Sequence, residues 1–488
     1  MDTPGDGLTS GTGDNTDDQR LNEIMSHMFG DHSEEVLQQM RQRGIDPLAM
    51  LRAEGQDLPD LATIQAAMAQ MQTMLASSGD DPVNTKLAHD MARQYALEKG
   101  DPALTAQQAK EATDALTVAQ LWLDAATSLP PATGQQFAWS RSQWVEETLP
   151  TWLTLVNPVA QSVAQALATV LGADQDSDFS TTDSSDDSDY GQPAGAATLG
   201  GAPGMDALGL GNLTPSQLVR KMGAAAFGMQ VGQAAGTLSR EVFGSTDVGL
   251  PLLVGQGTAL LPTNIEAYAQ NLDIPLDEVR LFVAVREAAH ARLFAHVPWL
   301  RSHMLGLVDQ YARGITIDLA ALEDRIAHVD HSSPSGLQQA MSGGGLFATQ
   351  PTEQQQATLL RLETALALVE GWVDEVSTQA ALPHLPGTFA LREMLRRRRA
   401  AGGPAEQTFA SLVGLDLRPR RSRDAATLFT HVYTAGGVEG RDGVWSHPDL
   451  LPVPLDLDDP AGYLARRQAQ AMAQSDIDKA LEELLGSA

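Results

Sequence analysis

The sequence is divided by residues 173–212, a stretch with too few large apolar side chains to join a hydrophobic core. Residues 173–190 carry seven Asp and no basic residue, and the rest of the stretch is rich in Gly and Ala. Such a composition buries too little apolar surface to offset the entropy lost on ordering. We therefore expect an acidic linker between an N-terminal helical region, residues 21–172, and a core at residues 213–460. A helical tail is expected at residues 461–488.

Both regions beside the linker show the apolar spacing of helices. Aromatic residues make up only 5% of the 488 residues, so the core must depend on Leu, Val, Ala and Met, which favours helices over strands. Helical periodicity predicts helices over residues 60–78, 82–99, 105–128, 144–171, 265–271, 276–311 with a break at Pro298, 354–381, 391–400, 424–433 and 475–485. We expect a mainly α fold with little or no sheet.

Several local signals place the boundaries of these elements. Thr105 is a suitable N-cap for the helix that follows it, and Asn264 is a candidate cap for the helix over 265–271. Pro158 is expected to break the helical stretch around it, because proline lacks the backbone N–H that a helix interior needs. The apolar run at residues 249–254 fits either a short strand or an extended loop.

Three glycines after the linker, Gly228, Gly232 and Gly236, lie four residues apart. On a helix they form a stripe of small residues, which lets a second helix backbone approach closely. Polar residues interrupt the apolar run around them, so we expect tight packing inside a protein core. The sequence contains no run of about 18 apolar residues, and we predict no membrane span.

Charge and cysteine content exclude several classes of function. The formal net charge is -30, which is unfavourable for binding nucleic acid or anionic lipid. We expect the basic stretches at 396–399 and 418–423 to pair internally with acidic residues. The chain has no Cys, so any metal ligand must be His, Asp or Glu. Residues 1–20 have no signal-peptide pattern, and we predict a disordered tail there and a cytoplasmic location.

The pattern with the strongest chemical implication is Arg286-Glu287-x-x-His290. A zincin places two His four residues apart on one helix face, with a Glu after the first His as general base. Glu287 and His290 fit this pattern, but Arg286 stands where the first His is expected. Arg cannot ligate zinc, because its guanidinium stays protonated.

A second fragment lies downstream. Glu370 and Asp374 have the spacing of a third zinc ligand and of a carboxylate that orients a ligand His, although the pattern is weak by itself. His296, six residues after His290, is another candidate ligand. Residue 293 is Leu rather than the Gly that would turn the chain at that point.

Four blocks of sequence resemble the actinobacterial zincin-like metallopeptidase type 2 family. They are Arg286–Leu300, Glu370-Gly371-Trp372, Gly414-Leu415 with Arg418-Pro419-Arg420-Arg421, and Trp445–Leu451. The likeness extends from about residue 105 to 460 and is to the branch with Arg in the first position of the motif. It implies a helical zincin-like fold and a hydrolase or zinc-dependent metalloprotease, but no known substrate. We expect a peptide or protein as the substrate or partner. By this resemblance Glu287 is the general base, His290 the second zinc ligand and Glu370 a third.

Three interpretations of this motif remain open. In a zinc hydrolase, a replacement for the missing ligand would come from His296, His303, His328, His331 or Asp374. In a di-iron carboxylate protein, Glu287-x-x-His290 would be half of the site, but no second such pair is found. In a catalytically silent scaffold, Arg286 would pair with Glu287, Glu370 or Asp374 and the cleft would bind a protein partner. The sequence does not determine the oligomeric state.

Overall fold

The computed structural model describes residues 81–170, 215–255, 257–315, 352–402 and 420–486, with a few isolated positions besides. The predicted tail at 1–20, the linker at 173–212 and the helix over 60–78 lie outside the described residues. The chain forms two compact units, one of Met1–Asn84 with Leu167–Ala225 and the other of Thr85–Ala166 with Ala226–Ala488. The candidate site and the cavity described below lie within the second unit. The predicted domain boundaries stay predictions.

The described residues are mostly helical, as predicted. The first elements are α1 Thr85–Leu97, α2 Ala106–Asp124, β1 Gln135–Ala138, α3 Arg141–Val170, α4 Pro215–Leu238, β2 Gly257–Leu260 and α5 Pro262–Ala269. Next come α6 Leu276–His296, α7 Pro298–Arg313, α8 Glu353–Ala381, α9 Thr388–Ala401, α10 Ser422–Asp442, α11 Pro454–Asp458 and α12 Tyr463–Gly486. Short 3₁₀ turns occur at Gly443–Trp445, Pro448–Leu450 and Pro460–Gly462. None of the described helices is both long enough and apolar enough to cross a bilayer.

The two strands form a small parallel sheet that the apolar pattern did not predict. β1 and β2 pair from Gln135 opposite Gly257 to Ala138 opposite Leu260. Residues 243–245 run along the free side of β2, where Ser245 N donates to Ala259 O at 3.2 Å. The run at 249–254 forms a loop rather than a strand. The sheet matters for function because it holds residues 244–247 against α6.

Two predicted boundaries were wrong. Pro158 lies inside α3, which does not break there. Apolar side chains on both sides of it, including Val156 and Val159, are fully buried, and this packing outweighs the loss of a single backbone hydrogen bond. Asn264 does not cap a helix, since α5 begins at Pro262. Its Nδ2 instead donates to the buried carbonyls of Ser239 and Val242, at 2.9 and 2.6 Å.

Other local predictions were confirmed. Thr105 caps α2 and forms a reciprocal capping box with Gln108. Gly232 and Gly236 face the backbone of α1, and a Cβ at Gly236 would lie 2.6 Å from Tyr95 Cβ. Only a residue without a side chain allows the two helices to approach this closely.

The core of the second unit is centred on α6 and α8. α6 packs against α2 and α8, and α8 packs in turn against α7 and α10. Trp372 on α8 is fully buried and meets Trp445 edge to face, with ring centroids 6.5 Å apart. α9 packs on both α6 and α8, and it brings a row of arginines to their buried polar faces.

Candidate functional site

The motif residues lie in the middle of α6, on the part of the helix that faces the core. Glu287 and His290 are 4% and 3% exposed, which is unusual for ionisable side chains. Buried polar groups must find partners, since an unpaired one costs about 1–3 kcal/mol. The partners of each residue therefore decide what the motif can do.

Glu287 is held by the segment beside β2. Ser245 Oγ makes a short hydrogen bond to Glu287 Oε1, Thr246 N donates to the same oxygen at 3.0 Å, and Thr246 Oγ1 donates to Oε2 at 2.8 Å. Gly244 leaves no room for a Cβ beside the carboxyl group. Burial raises the pKa of Glu287 despite these hydrogen bonds. Both oxygens of the Glu287 carboxyl group are thus engaged by the segment beside β2.

Glu370, on α8, faces His290 and Arg286. Arg286 Nη2 donates to Glu370 Oε2 at 2.8 Å, and His290 Nε2 lies 3.3 Å from Oε1. The other ring nitrogen, His290 Nδ1, lies 2.9 Å from the Arg286 carbonyl oxygen. Of the three carboxylates considered for Arg286, Glu370 is therefore its hydrogen-bonded partner.

A second arginine reaches the same carboxylate. Arg399 Nη2 donates to Glu370 Oε1 at 2.8 Å, and its Nη1 makes a short hydrogen bond to the Asp247 carbonyl. Gly249, with a φ of +80°, permits this approach, because a Cβ there would lie 2.9 Å from Arg399 Nη2. Burial opposes ionisation of Glu370, but Arg399, His290 and Arg286 outweigh it and hold the pKa of Glu370 well below its usual range.

Asp374 extends the network by one turn of α8. Arg392 Nε and Arg396 Nη2 donate to its Oδ2 at 2.7 and 2.5 Å, while Arg286 Nη1 lies 3.7 Å from Oδ1. Asp374 is 4% exposed, so these charges are largely withdrawn from water. Four arginines, at positions 286, 392, 396 and 399, thus surround two carboxylates in what we call the arginine cluster.

The other candidate zinc ligands either contact residues outside the arginine cluster or lie outside the described residues. The Nε2 of His296 is 3.3 Å from the carbonyl oxygen of Pro131, at the C-terminal end of α6. The ring of His303 packs edge to face on Trp299, with centroids 5.8 Å apart, and burial lowers its pKa. His328 and His331 lie outside the described residues.

Within the described part of the chain, the residues around His290 and Glu370 do not fit a zinc ion. In a chain without Cys, a zinc site needs at least three His, Asp or Glu ligands at about 2.0–2.2 Å. Among the described residues, no three such side chains are arranged to hold a metal. Both oxygens of Glu370 already accept hydrogen bonds from arginines, and these fixed positive charges would repel a cation at the same place. Arg286 and Arg399 thus occupy both oxygens of the carboxylate that was predicted as a zinc ligand.

Several residues of the site were not singled out from the sequence. Ser245 and Thr246 carry no motif, and only their place beside β2 brings them to Glu287. The basic stretch at 396–399 was expected to pair internally. Arg396, Arg398 and Arg399 do so, with Asp374, Asp247 and Glu370 respectively.

The sequence pattern of the zincin-like metallopeptidase family matches residues 83–464. Among solved structures, the chain is similar to a protein from Chloroflexus aurantiacus described as "a putative hydrolase with a novel fold". The two sequences are 18% identical, and the match covers 79% of this chain and 99% of the other, with a TM-score of 0.51. This likeness concerns the fold alone. No curated protein matches the chain.

Proposed function

Because the chain belongs to the zincin-like metallopeptidase family, we propose that it retains the family's cleft as a metal-free module that binds a peptide or protein segment. The observation that carries this proposal is the pairing of Arg286 with Glu370 at 2.8 Å, in the place of the first zinc ligand. A permanently charged guanidinium there supplies the positive charge that zinc supplies in an active zincin.

The state of Glu287 supports the same proposal. A general base must be ionised and must reach the proton that it removes. Both oxygens of Glu287 accept hydrogen bonds from Ser245 or Thr246, and burial raises the pKa of the carboxyl group, which opposes its ionisation. These contacts suit a structural carboxyl group that ties α6 to the segment beside β2.

Zinc-dependent hydrolysis stays a prediction and is the competing function. It requires that Arg286 and Arg399 leave Glu370 and that a third ligand approach His290. His328 and His331, which the structure does not describe, are the remaining histidine candidates among those predicted from the sequence. The metal content of the protein therefore distinguishes a metal-free module from a zinc hydrolase.

The experiment is elemental analysis of the full chain, purified without a His tag, loaded with zinc and then dialysed. We expect far less than one zinc per chain in the wild type and in Glu370→Ala. About one zinc per chain in the wild type, lost in Glu370→Ala, would refute the proposal and support the hydrolase.

A gain-of-binding variant tests the reason for the lack of metal. Arg286→His combined with Arg399→Gln restores the first ligand and frees Glu370, so this double variant is expected to retain zinc. The matched control combines Arg286→His with Arg397→Gln, since Arg397 is exposed on the same helix and pairs with Glu393 instead. Equal zinc retention in both double variants would show that Arg399 does not block the site.

A further inference from the structure

A cavity of about 370 Å³ opens beside the buried motif, on the side of α6 that faces the loop after residue 250. Its wall includes Thr246, Leu253, Ala291, Phe294, Pro298 and Arg301. Thr246 also binds Glu287, and the Phe294 ring stacks near His290 with centroids 6.4 Å apart. The cavity is thus separate from the arginine cluster but shares part of its wall with the motif.

Arg301 is a cation without a carboxylate partner among the described residues. Its Nη2 donates a hydrogen bond to the Leu253 carbonyl oxygen at 3.0 Å. Its Nε is buried and has no hydrogen-bond partner within the described part of the chain. The neighbouring arginines behave differently, since those of the arginine cluster each contact a carboxylate. An uncompensated guanidinium on a cavity wall favours an anion there.

The rest of the wall limits the kind of anion. Leu253, Val254, Phe294 and Pro298 present apolar surface, and Arg301 is the charged residue of the lining. A single guanidinium balances a single negative charge, which suits a carboxylate better than a phosphate of charge close to −2. The volume lies at the lower end of the range of about 300–1,000 Å³ for small-ligand pockets. It suits a group about the size of one amino-acid residue.

We propose that this cavity binds a carboxylate that bears a short aliphatic group, with Arg301 pairing with the carboxylate and Leu253 and Phe294 contacting the aliphatic group. The same chemistry is offered by the C-terminal residue of a peptide and by a free branched-chain acid. The inference goes beyond the proposed function, because it requires neither the presence nor the absence of a metal.

Calorimetric titration of the full chain with three probes tests the proposal. The probes are N-acetyl-alanyl-leucine, its C-terminal amide and 4-methylpentanoate. We expect both acids to bind and the amide to bind at least about 10-fold more weakly, because the amide cannot form the charge-assisted hydrogen bond with Arg301. Tighter binding of the dipeptide would identify a peptide C-terminus as the ligand, and tighter binding of 4-methylpentanoate would identify a free acid. Equal binding of acid and amide, or no binding of either acid at millimolar concentration, would overturn the proposal.

Two variants connect the binding to the cavity. Arg301→Met keeps a long apolar side chain and removes the charge, so carboxylate affinity is expected to fall about 10-fold or more. Arg313→Met, at an exposed position on the same helix, is the control and should bind like the wild type. Ala295→Phe places a bulky ring in the cavity without touching the charge, and it should weaken binding about 10-fold or more even if Arg301→Met fails to fold. Unchanged affinity in a folded Arg301→Met or Ala295→Phe protein would contradict the assignment.

Discussion

Replacing Glu370 by Gln tests how strongly the arginine cluster depends on its central charge. The substitution keeps the volume of the side chain but removes the charge that Arg286 and Arg399 share. Their side chains are only 13% and 10% exposed, so water compensates them poorly. Breaking a buried ion pair by removing one partner typically costs about 3–5 kcal/mol, because the other charge remains buried. Arg286 still has the Asp374 carboxylate at 3.7 Å, so we expect a loss of unfolding free energy at the lower end of this range, about 3 kcal/mol.

Urea unfolding of wild type and Glu370→Gln measures this difference. The pKa of Glu370 is lowered in the folded state, so its contribution is complete above the unfolded pKa of about 4.3 and is lost as pH falls below it. The gap in unfolding free energy should therefore be constant between pH 6 and 8. Below about pH 4 it should shrink by up to about 1.4 kcal/mol per pH unit.

Glu363→Gln is the matched control, at a half-exposed position on the same helix, and should change the unfolding free energy by less than about 0.5 kcal/mol. A loss below about 1 kcal/mol for Glu370→Gln, or a gap that stays the same at pH 3.5 and pH 7, would refute the assigned role of this carboxylate.

Three further changes probe the fold around the site. Gly236→Ala should destabilise the protein by about 2 kcal/mol in thermal unfolding, because the new Cβ would lie 2.6 Å from Tyr95 Cβ. Gly306→Ala is the control: this position on α7 has open space around it, so the substitution should stabilise the protein by about 0.5–1 kcal/mol. Asp442→Asn should lower the free energy of unfolding by about 3 kcal/mol at pH 7, because Arg441 stays buried without its carboxylate partner. The loss should be smaller below about pH 4, since the pKa of Asp442 is lowered in the folded state. The same loss at low pH and at pH 7 would argue against this pairing. Asn264→Ala should lower the free energy of unfolding, measured in urea, by about 2 kcal/mol, because two buried carbonyl oxygens lose their hydrogen-bond donor. An unchanged free energy of unfolding would mean that water replaces the amide.

The spacing of residues determined which side chains share a helix face. His290 lies four residues after Arg286 and three after Glu287, so it is a neighbour of both on the surface of α6, whatever the rest of the chain does. The same rule places Glu370 and Asp374 together on α8. The sequence also determined the capping of α2 by Thr105 and the close packing at Gly236. These features depend on residues that are close together in the sequence, so they can be predicted from the sequence alone.

Tertiary packing alone decided which partners each of these groups finds. Nothing in the spacing indicates that Ser245 and Thr246 bind Glu287, that Arg399 shares Glu370 with Arg286, or that Arg301 faces a cavity. Such pairings depend on how the sheet and α9 are placed against α6 and α8, and helices pack through surfaces assembled from distant parts of the chain. The continuation of α3 through Pro158 has the same origin, because buried contacts on both sides outweigh a local preference. Whether the motif meets a metal or a guanidinium is likewise decided by these long-range contacts.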